Sequence, residues 1–316
     1  MSASNLSASG SATVYNYGSI NIDHVYRVPH LVRPGETLSS TDYQIVLGGK
    51  GANQTIALAR AGGRVAHWAQ LGQADEWALA TLKDAGADID DVTLLEGSSG
   101  HTVIQVDDDG ENAIVLFGGT NQSFSKERIR ALIDGADSEG WLLLQNECND
   151  IEDVIRQALG RGLKVAFNPA PMTPAIRELA LSELSLLFVN RGEAAALVEL
   201  PEESNANTLI QALQQALPNT DIVLTLGSEG AWRIDGERNE PLYQPARPVQ
   251  AVDTTGAGDT FIGYYMAAVQ AGCDASTCLE RATAAAALAV QRAGAATGIP
   301  TIEEVETFLQ IAARQP

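Results

Sequence analysis

The run Asp253-Thr254-Thr255-Gly256-Ala257-Gly258-Asp259-Thr260-Phe261 sets a glycine-rich turn directly before a carboxylate. Amides of such a turn can surround an anion, and the carboxylate can take the proton of a hydroxyl. Those are the two things that transfer of a phosphoryl group from a nucleotide most needs from a protein. Gly256, Ala257 and Gly258 are therefore the candidate anion-binding residues and Asp259 the candidate base. A helical run beginning near Thr260 would point its amide end at the same spot. An ordinary glycine loop with an N-capping Asp uses the same residue types, but the length of the run and the small-residue helix behind it favour chemistry. The Walker spacing and its Gly-Lys-Ser/Thr end are missing, so this is not a P-loop.

A second cluster is Gly48-Gly49-Lys50-Gly51-Ala52-Asn53-Gln54. Its glycines let a ligand approach the backbone, and Asn53 can both donate to and accept from a hydroxylated ligand. Lys50 is conspicuous because lysine is otherwise confined to Lys83, Lys126 and Lys164. A plain strand-to-helix turn with Asn53 in solvent is the alternative. Asn21 and Asp23 lie two apart at a strand end, where side chains face the same way and a carboxylate can bind two vicinal sugar hydroxyls. Taken alone, a turn initiator explains them as well. Asn190 and Glu193, in Asn-Arg-Gly-Glu, can hold Mg²⁺ through oxygen and water, or form a helix capping box, or both. Glu147 is a further strand-end carboxylate. Of the four histidines, His24 and His101 suit a ligand edge or lid, and no Ser-His-Asp or zinc arrangement can be built.

These residues need a frame. Apolar stretches at Val14–Ile20, Arg64–Gln70, Trp141–Gln145, Leu163–Phe167, Leu186–Val189 and Asp221–Leu226 alternate with helical patterns at Gly49–Ala61, Asp75–Ala85 and Ile151–Leu159. That rhythm predicts a mostly parallel sheet covered by helices, with ligands at the carboxyl ends of its strands. Two segments break it. One is Val25–Val46, with Pro29, Pro34 and Gly35. The other is the pair Thr102–Val106 and Ala113–Phe117, joined by Asp107-Asp108-Asp109-Gly110. They predict a small β lid whose apolar face needs a partner, so dimerisation through it is expected. A C-terminal helix over Ile302–Ala313 covers the core, and the Ser- and Ala-rich residues 1–11 read as a disordered tail.

Composition excludes several classes. The chain has 316 residues, 40 acidic against 20 basic, for a formal charge of −20. Such a surface repels nucleic acid and anionic membranes, and any nucleotide site must be made locally positive. No apolar run is long enough to span a bilayer. Cys148, Cys273 and Cys278 have neither disulfide nor metal-ligand spacing, which suits reduced thiols in the cytoplasm.

With these motifs quoted, the sequence resembles the ribokinase-like (phosphofructokinase-B type) carbohydrate kinases from Gly18 to about Pro300. The likeness rests on Gly18-Ser19-Ile20-Asn21-Ile22-Asp23, Pro34-Gly35-Glu36-Thr37, Gly48 to Gln54, Asn168-Pro169-Ala170-Pro171, and Asp253 to Phe261. The resemblance implies a three-layer α/β/α domain over residues 12–316, with lid segments at about 22–47 and 97–120. It implies ATP-dependent phosphorylation of a sugar's primary hydroxyl, D-ribose to D-ribose 5-phosphate being the expected reaction and another sugar or a nucleoside the alternative. By the same resemblance Asp23 and Asn53 grip the sugar, assisted by Asn21, the Gly48-Gly49 backbone, Lys50 and Glu147. Asp259 is the base, with Gly256, Ala257 and Gly258 as its anion hole. Asn190 and Glu193 serve Mg²⁺ and phosphate, and Thr225, Gly227, Ser228 and Gly230 lie beside the nucleotide with Gly258. K⁺ activation is implied too, through Asp253, Thr255, Ala289, Arg292 and Gly294, with Gly298 where a serine often closes the loop. A further departure is Phe117-Gly118-Gly119-Thr120-Asn121, where the ribose-directed members usually carry Pro-Gly-Ala-Asn. Two readings from other classes are a non-catalytic sugar or nucleotide sensor and a Rossmann dehydrogenase. Intact Asp259 argues against the first, and the absence of a glycine fingerprint after Ile20 against the second.

Overall fold

The computed structural model describes residues 12–236 and 240–312; the expected tail over 1–11 and Ala313 lie outside them. In chain order the strands are β1 (Val14–Tyr17), β2 (Asn21–Arg27), β3 (Asp42–Gly48), β4 (Val65–Trp68), β5 (Gln70–Gly72), β6 (Thr93–Leu95) and β7 (Gly100–Val106). They continue as β8 (Asn112–Phe117), β9 (Trp141–Gln145), β10 (Lys164–Asn168), β11 (Leu186–Asn190), β12 (Asp221–Thr225), β13 (Ala231–Ile234) and β14 (Leu242–Gln244). Eight of them form the central sheet in the order β14-β13-β12-β11-β10-β9-β1-β4. The six from β12 to β4 run parallel, while β13 and β14 add an antiparallel edge.

Side chains of the parallel strands alternate between two cores, as the pleat requires. Leu143, Ala166, Phe188 and Val223 face one cluster. Leu142, Leu144, Val165, Phe167, Leu187, Val189, Ile222 and Leu224 face the other. The first is covered by α1 (Lys50–Arg60), α7 (Ala257–Gln270) and α8 (Ala275–Ala289), the second by α3 (Lys126–Gly135), α4 (Ile151–Arg161) and α6 (Ala206–Ala216). The remaining helices are α2 (Leu79–Asp84), α5 (Arg191–Leu197), α9 (Ala295–Gly298) and α10 (Ile302–Ala312). This is the expected three-layer α/β/α arrangement.

The packing of α1 on α7 positions the chemistry. A Cβ on Gly263 would stand 2.4 Å from Ala57 Cβ and 2.8 Å from the Gln54 carbonyl oxygen. Only glycine allows this approach. Gly263 lies one turn beyond Asp259, and Ala57 one turn beyond Asn53, so the crossing brings those two side chains together.

The second sheet, β3-β2-β7-β8, stands apart from the core. Here β2 and β7 are parallel and the outer pairs antiparallel, so the hairpin expected between residues 102 and 117 is present. Several expected elements shift. The apolar run from Val14 does not continue to Ile20; it stops at Tyr17, and Asn21 opens a strand of the smaller sheet. The strand expected over Arg64–Gln70 divides, because Gln70–Gly72 leaves the central sheet to pair with β6. The helix expected over Asp75–Ala85 begins as a 3-10 turn, with Asp75 at a non-helical φ of −110°. Among the described residues no helix is long and apolar enough to cross a membrane, and the three cysteines are unpaired.

Candidate active site

The predicted residues collect at the carboxyl ends of the parallel strands, where loops and helix starts converge. Asp259 does not cap its helix as a sequence reading from Thr260 would have it. The cap is Gly256, in the left-handed region at φ 75°, and α7 begins at Ala257, so Asp259 sits within the first turn. Gly256 is fixed twice over, since a Cβ there would lie 2.8 Å from Ala295 Cβ. Gly258 has no such neighbour and faces open space beside the helix start. Thr260 is the first α7 residue whose amide bonds back to the Gly256 carbonyl, at 2.8 Å, so the amides before it are set at a helix N-terminus.

The Asp259 carboxylate is held from α1. Gln54 Nε2 donates to its Oδ1 at 2.9 Å, and Asn53 Nδ2 donates to its Oδ2 at 3.2 Å. Burial raises the Asp259 pKa above the ordinary carboxylate range, against the opposing pull of the Lys50 ammonium and the two amide donors. Asn53 Oδ1 is buried without a partner, an acceptor left free where a ligand hydroxyl could donate.

Asp23 lies on β2, opposite Thr102 of β7, whose hydroxyl donates to Asp23 Oδ1 at 2.6 Å. Burial raises its pKa as well, with the nearby Glu147 charge adding to the effect. Gly48 must be glycine because a Cβ would fall 1.9 Å from Asp23 Oδ2. Gly49 has φ 93° and its Cβ would meet the Asn21 amide at 2.8 Å. The glycine pair thus serves the carboxylate and the turn into α1. Glu147 accepts from Ser19 Oγ and from the Lys50 amide at 3.0 Å, which places an anion on the N-terminus of α1.

Lys50 is the hub. Burial would favour its neutral form, but Asp259, Glu147, Glu193 and Asp23 together hold its pKa above the usual ammonium value. Four carboxylates facing one ammonium leave the pocket negative before anything binds.

Asn190 ends β11, and both halves of a capping box are present: its Oδ1 accepts from the Glu193 amide at 2.8 Å, and Glu193 Oε2 from the Asn190 amide at 2.9 Å. Burial raises the Glu193 pKa, with the Asn190 amide and Lys50 opposing and Asp259 reinforcing. Thr225 is paired in register with Asn190 on β12. The loop after it is tight, with Gly227 at φ 59° and Gly230 at φ 98°, and the Gly230 carbonyl accepts from Leu226 at 2.8 Å. Gly227 and Ser228 are exposed, and among the described residues no hydrogen bond joins them to Asp259.

Asp253 and the 289–298 segment do meet. Asp253 Oδ2 accepts from the Gly294 amide at 2.8 Å and Oδ1 from the Thr255 amide at 2.9 Å. Burial works against the charge, but these amides keep the Asp253 pKa below the usual range. The Ala289 and Arg292 carbonyls converge, lying 3.3 and 3.6 Å from the point where a Gly298 Cβ would stand. The Arg292 guanidinium is occupied elsewhere, by Glu304 at 2.6 Å.

One predicted role has a different neighbourhood. Asn21 is buried, and its Oδ1 accepts from Asn121 Nδ2 at 2.8 Å, while Asn121 also brackets both backbone groups of Ile20. The pair ties the start of β2 to the segment that follows β8. The Thr120 hydroxyl donates to the Gln70 carbonyl at 3.2 Å, so Thr120 and Asn121 of the unusual Gly118-Gly119-Thr120-Asn121 run are buried where the two sheets join. Sequence reasoning assigned no role to Ser19, Thr102, Asn121, Gln145 or Gln54. Nothing local marks them, because each acts on a partner many residues away.

A family model described as pfkB family carbohydrate kinase matches residues 11–302. Ribokinase of Haemophilus influenzae is 35% identical, over 93% of this chain and 97% of its own length. Among solved structures, Arabidopsis thaliana ribokinase complexed with ribose and ATP has a TM-score of 0.85 at 30% identity, covering 96% of this chain and 99% of that one. Ribokinase from Cryptococcus neoformans in complex with ADP has a TM-score of 0.82 at 33% identity, covering 94% and 99%. The Asp259 carboxylate in the first turn of α7, held by Asn53 and Gln54 near the Lys50 ammonium, is thus found on a chain that belongs to the pfkB family of carbohydrate kinases.

Proposed function

We propose that the protein transfers the γ-phosphoryl group of ATP to the primary hydroxyl of D-ribose, giving D-ribose 5-phosphate and ADP, with Asp259 as general base. The observation that carries the mechanism is Asp259 in the first turn of α7, held by Asn53 and Gln54 beside the unpartnered Asn53 Oδ1. The choice of ribose rests on the ribokinases described above, one of them complexed with ribose and ATP.

The sugar binds between Asp23 and Asn53, under the smaller sheet acting as a lid. Asp259 accepts the proton of the primary hydroxyl as its oxygen forms the new bond to phosphorus, and the bond between phosphorus and the bridging oxygen of ADP breaks. The Gly256–Gly258 amides at the start of α7 stabilise charge on the equatorial oxygens, and Lys50 offsets charge beside them. The lid excludes water, which limits wasteful hydrolysis of ATP. Asn190 and Glu193 form an all-oxygen set suited to Mg²⁺ held through water, and Mg²⁺ there would neutralise nucleotide phosphates in a pocket that is otherwise negative. The converging Ala289 and Arg292 carbonyls with Asp253 likewise suit K⁺, with Thr255, Gly294 and Gly298 completing that loop pair.

The test is ADP release with Mg-ATP across D-ribose, 2-deoxyribose, fructose and adenosine, each with and without K⁺. Turnover with ribose above the other three, rising with K⁺, is expected. Turnover only with another acceptor would overturn the ribose assignment, and none with any would overturn the kinase reading.

We also infer a homodimer through the lid. All six residues of β8 are exposed, with Val115 at 69% and Phe117 at 53%, and Ile45 on the opposite edge is at 48%. An apolar edge strand open on both faces needs cover. Light scattering should give about twice the chain mass, and a single-chain mass at micromolar concentration would contradict it. The three unpaired thiols fit the reducing cytoplasm, where such a kinase would find ATP.

A further inference from the structure

Behind Asp259 runs a buried chain of side-chain amides that begins at Gln54, and beyond Gln54 the mechanism above uses none of it. Gln54 Nε2 donates to Asp259 Oδ1 at 2.9 Å and to Asn168 Oδ1 at 3.2 Å, which uses both of its protons. Gln54 Oε1 accepts from Gln145 Nε2 at 2.7 Å, and the same nitrogen donates to Asn16 Oδ1 at 3.0 Å. Asn16 Nδ2 in turn donates to the Gly51 carbonyl at 2.9 Å and to Thr55 Oγ1 at 2.8 Å. Thr55 reaches His67 Nδ1 at 2.8 Å, and burial pushes the His67 pKa down to about 3, so the imidazole is neutral. Asn16, Gln54, Thr55, His67 and Gln145 are all at most 1% exposed.

Burying so many polar groups is costly unless they are partnered, and here only Gln145 Oε1 and His67 Nε2 go without, while the Gly51 carbonyl, which can only accept, gives the arrangement a definite polarity. With both protons of Gln145 Nε2 committed, Gln54 presents its oxygen inward and its amide nitrogen outward. Turning Gln54 over would set its oxygen against the Asp259 carboxylate and the Asn168 oxygen, and its nitrogen against the Gln145 nitrogen. The chain is therefore a one-way clamp, and its last link is the Asp259 carboxylate. Lys50, Glu147 and Glu193 face the same carboxylate from other elements, and Asp23 faces Lys50, but none of these fixes its plane. Gln54 and Asn53 do, one on each oxygen.

We propose that Gln54 is a positioning residue for the base, and that Gln145 and Asn16 act through it by fixing the orientation of its amide. The proposal rests on the reading of Asp259 as base, and goes beyond it by naming what aims that base and keeps it charged. A donor to a carboxylate favours its charged form, so losing the donor should move the acid limb of the kcat–pH profile upward. Loss of aim alone can lower turnover about 100-fold.

The experiment compares Gln54→Met, Gln145→Met and Asp259→Asn, singly and with Q54M added to D259N, in the full-length chain. Q54M should lower kcat on the order of 10- to 100-fold, leave KM for ribose and ATP within about threefold, and move the acid limb to higher pH. Q145M, which touches neither ligand nor Asp259, should move the same readouts in the same direction by less. In the D259N background Q54M should lower turnover no further. Thermal unfolding shows whether each variant is folded, and Q145M decides if Q54M is not. An inactive D259N beside a Q145M and Q54M of unchanged kcat and pH profile would overturn the clamp and leave the base standing. An active D259N would bring down both.

Discussion

Asp259→Asn is expected to lower kcat by about 100- to 10,000-fold, the range that a positioned general base contributes. The fold should survive intact. Asp259 has its pKa raised by burial, so the native state binds that proton more tightly than the unfolded chain does. The sign follows: its contribution to stability is full below the unfolded carboxylate pKa and is lost as pH rises through the higher folded value. At neutral pH the charged carboxylate is therefore a burden, and an amide in its place relieves it. D259N should unfold at a temperature no lower than wild type, while sugar and nucleotide Kd change by less than about tenfold. In the wild type the same shift places the acid limb of kcat above the ordinary carboxylate pKa, with activity lost as pH falls through it. Steady-state kinetics with calorimetric melting checks the pair, and a D259N with near-wild-type turnover removes Asp259 from the role.

Asp23→Ala is expected to act on binding. Hydrogen bonds to a charged group are worth about 1.5–3 kcal/mol each, so two lost bonds to vicinal hydroxyls should weaken sugar binding on the order of 100-fold or more. ATP binding should change by less than about threefold, since β2 belongs to the smaller sheet and the loop proposed for the nucleotide follows β12 of the central sheet. Isothermal titration with each ligand separates the two. A larger loss for ATP than for ribose would contradict the assignment. Gly48 belongs to the same argument, because its missing side chain is the space that Asp23 Oδ2 fills.

The geometry of the candidate site was legible in the sequence where it depends on residues that admit no substitute. Gly256 must adopt a left-handed conformation and Gly48 must leave room, and such demands write glycines into the chain. The parallel strands were legible as well, since burial on both faces makes them continuous apolar runs such as Leu142–Leu144. The start of α7 was misplaced because Ala257 and Gly258 carry little periodic signal, and glycine is a poor helix former. The break after Tyr17 was hidden by apolar residues that continue past it into a different sheet. The clamp on Asp259 was out of reach, since Gln54 is 205 residues from the carboxylate it holds and reads locally as one more helix residue. Short edge strands such as Leu242–Gln244 also left no pattern, being half exposed and only three residues long.

The most direct test of the central claim is the product formed from D-ribose and Mg-ATP by the wild-type protein, followed by phosphorus NMR. The account predicts a phosphomonoester coupled to the two C5 protons of ribose, appearing in step with ADP. A phosphate on another ribose oxygen, or ADP accumulating with free inorganic phosphate and unchanged sugar, would contradict it.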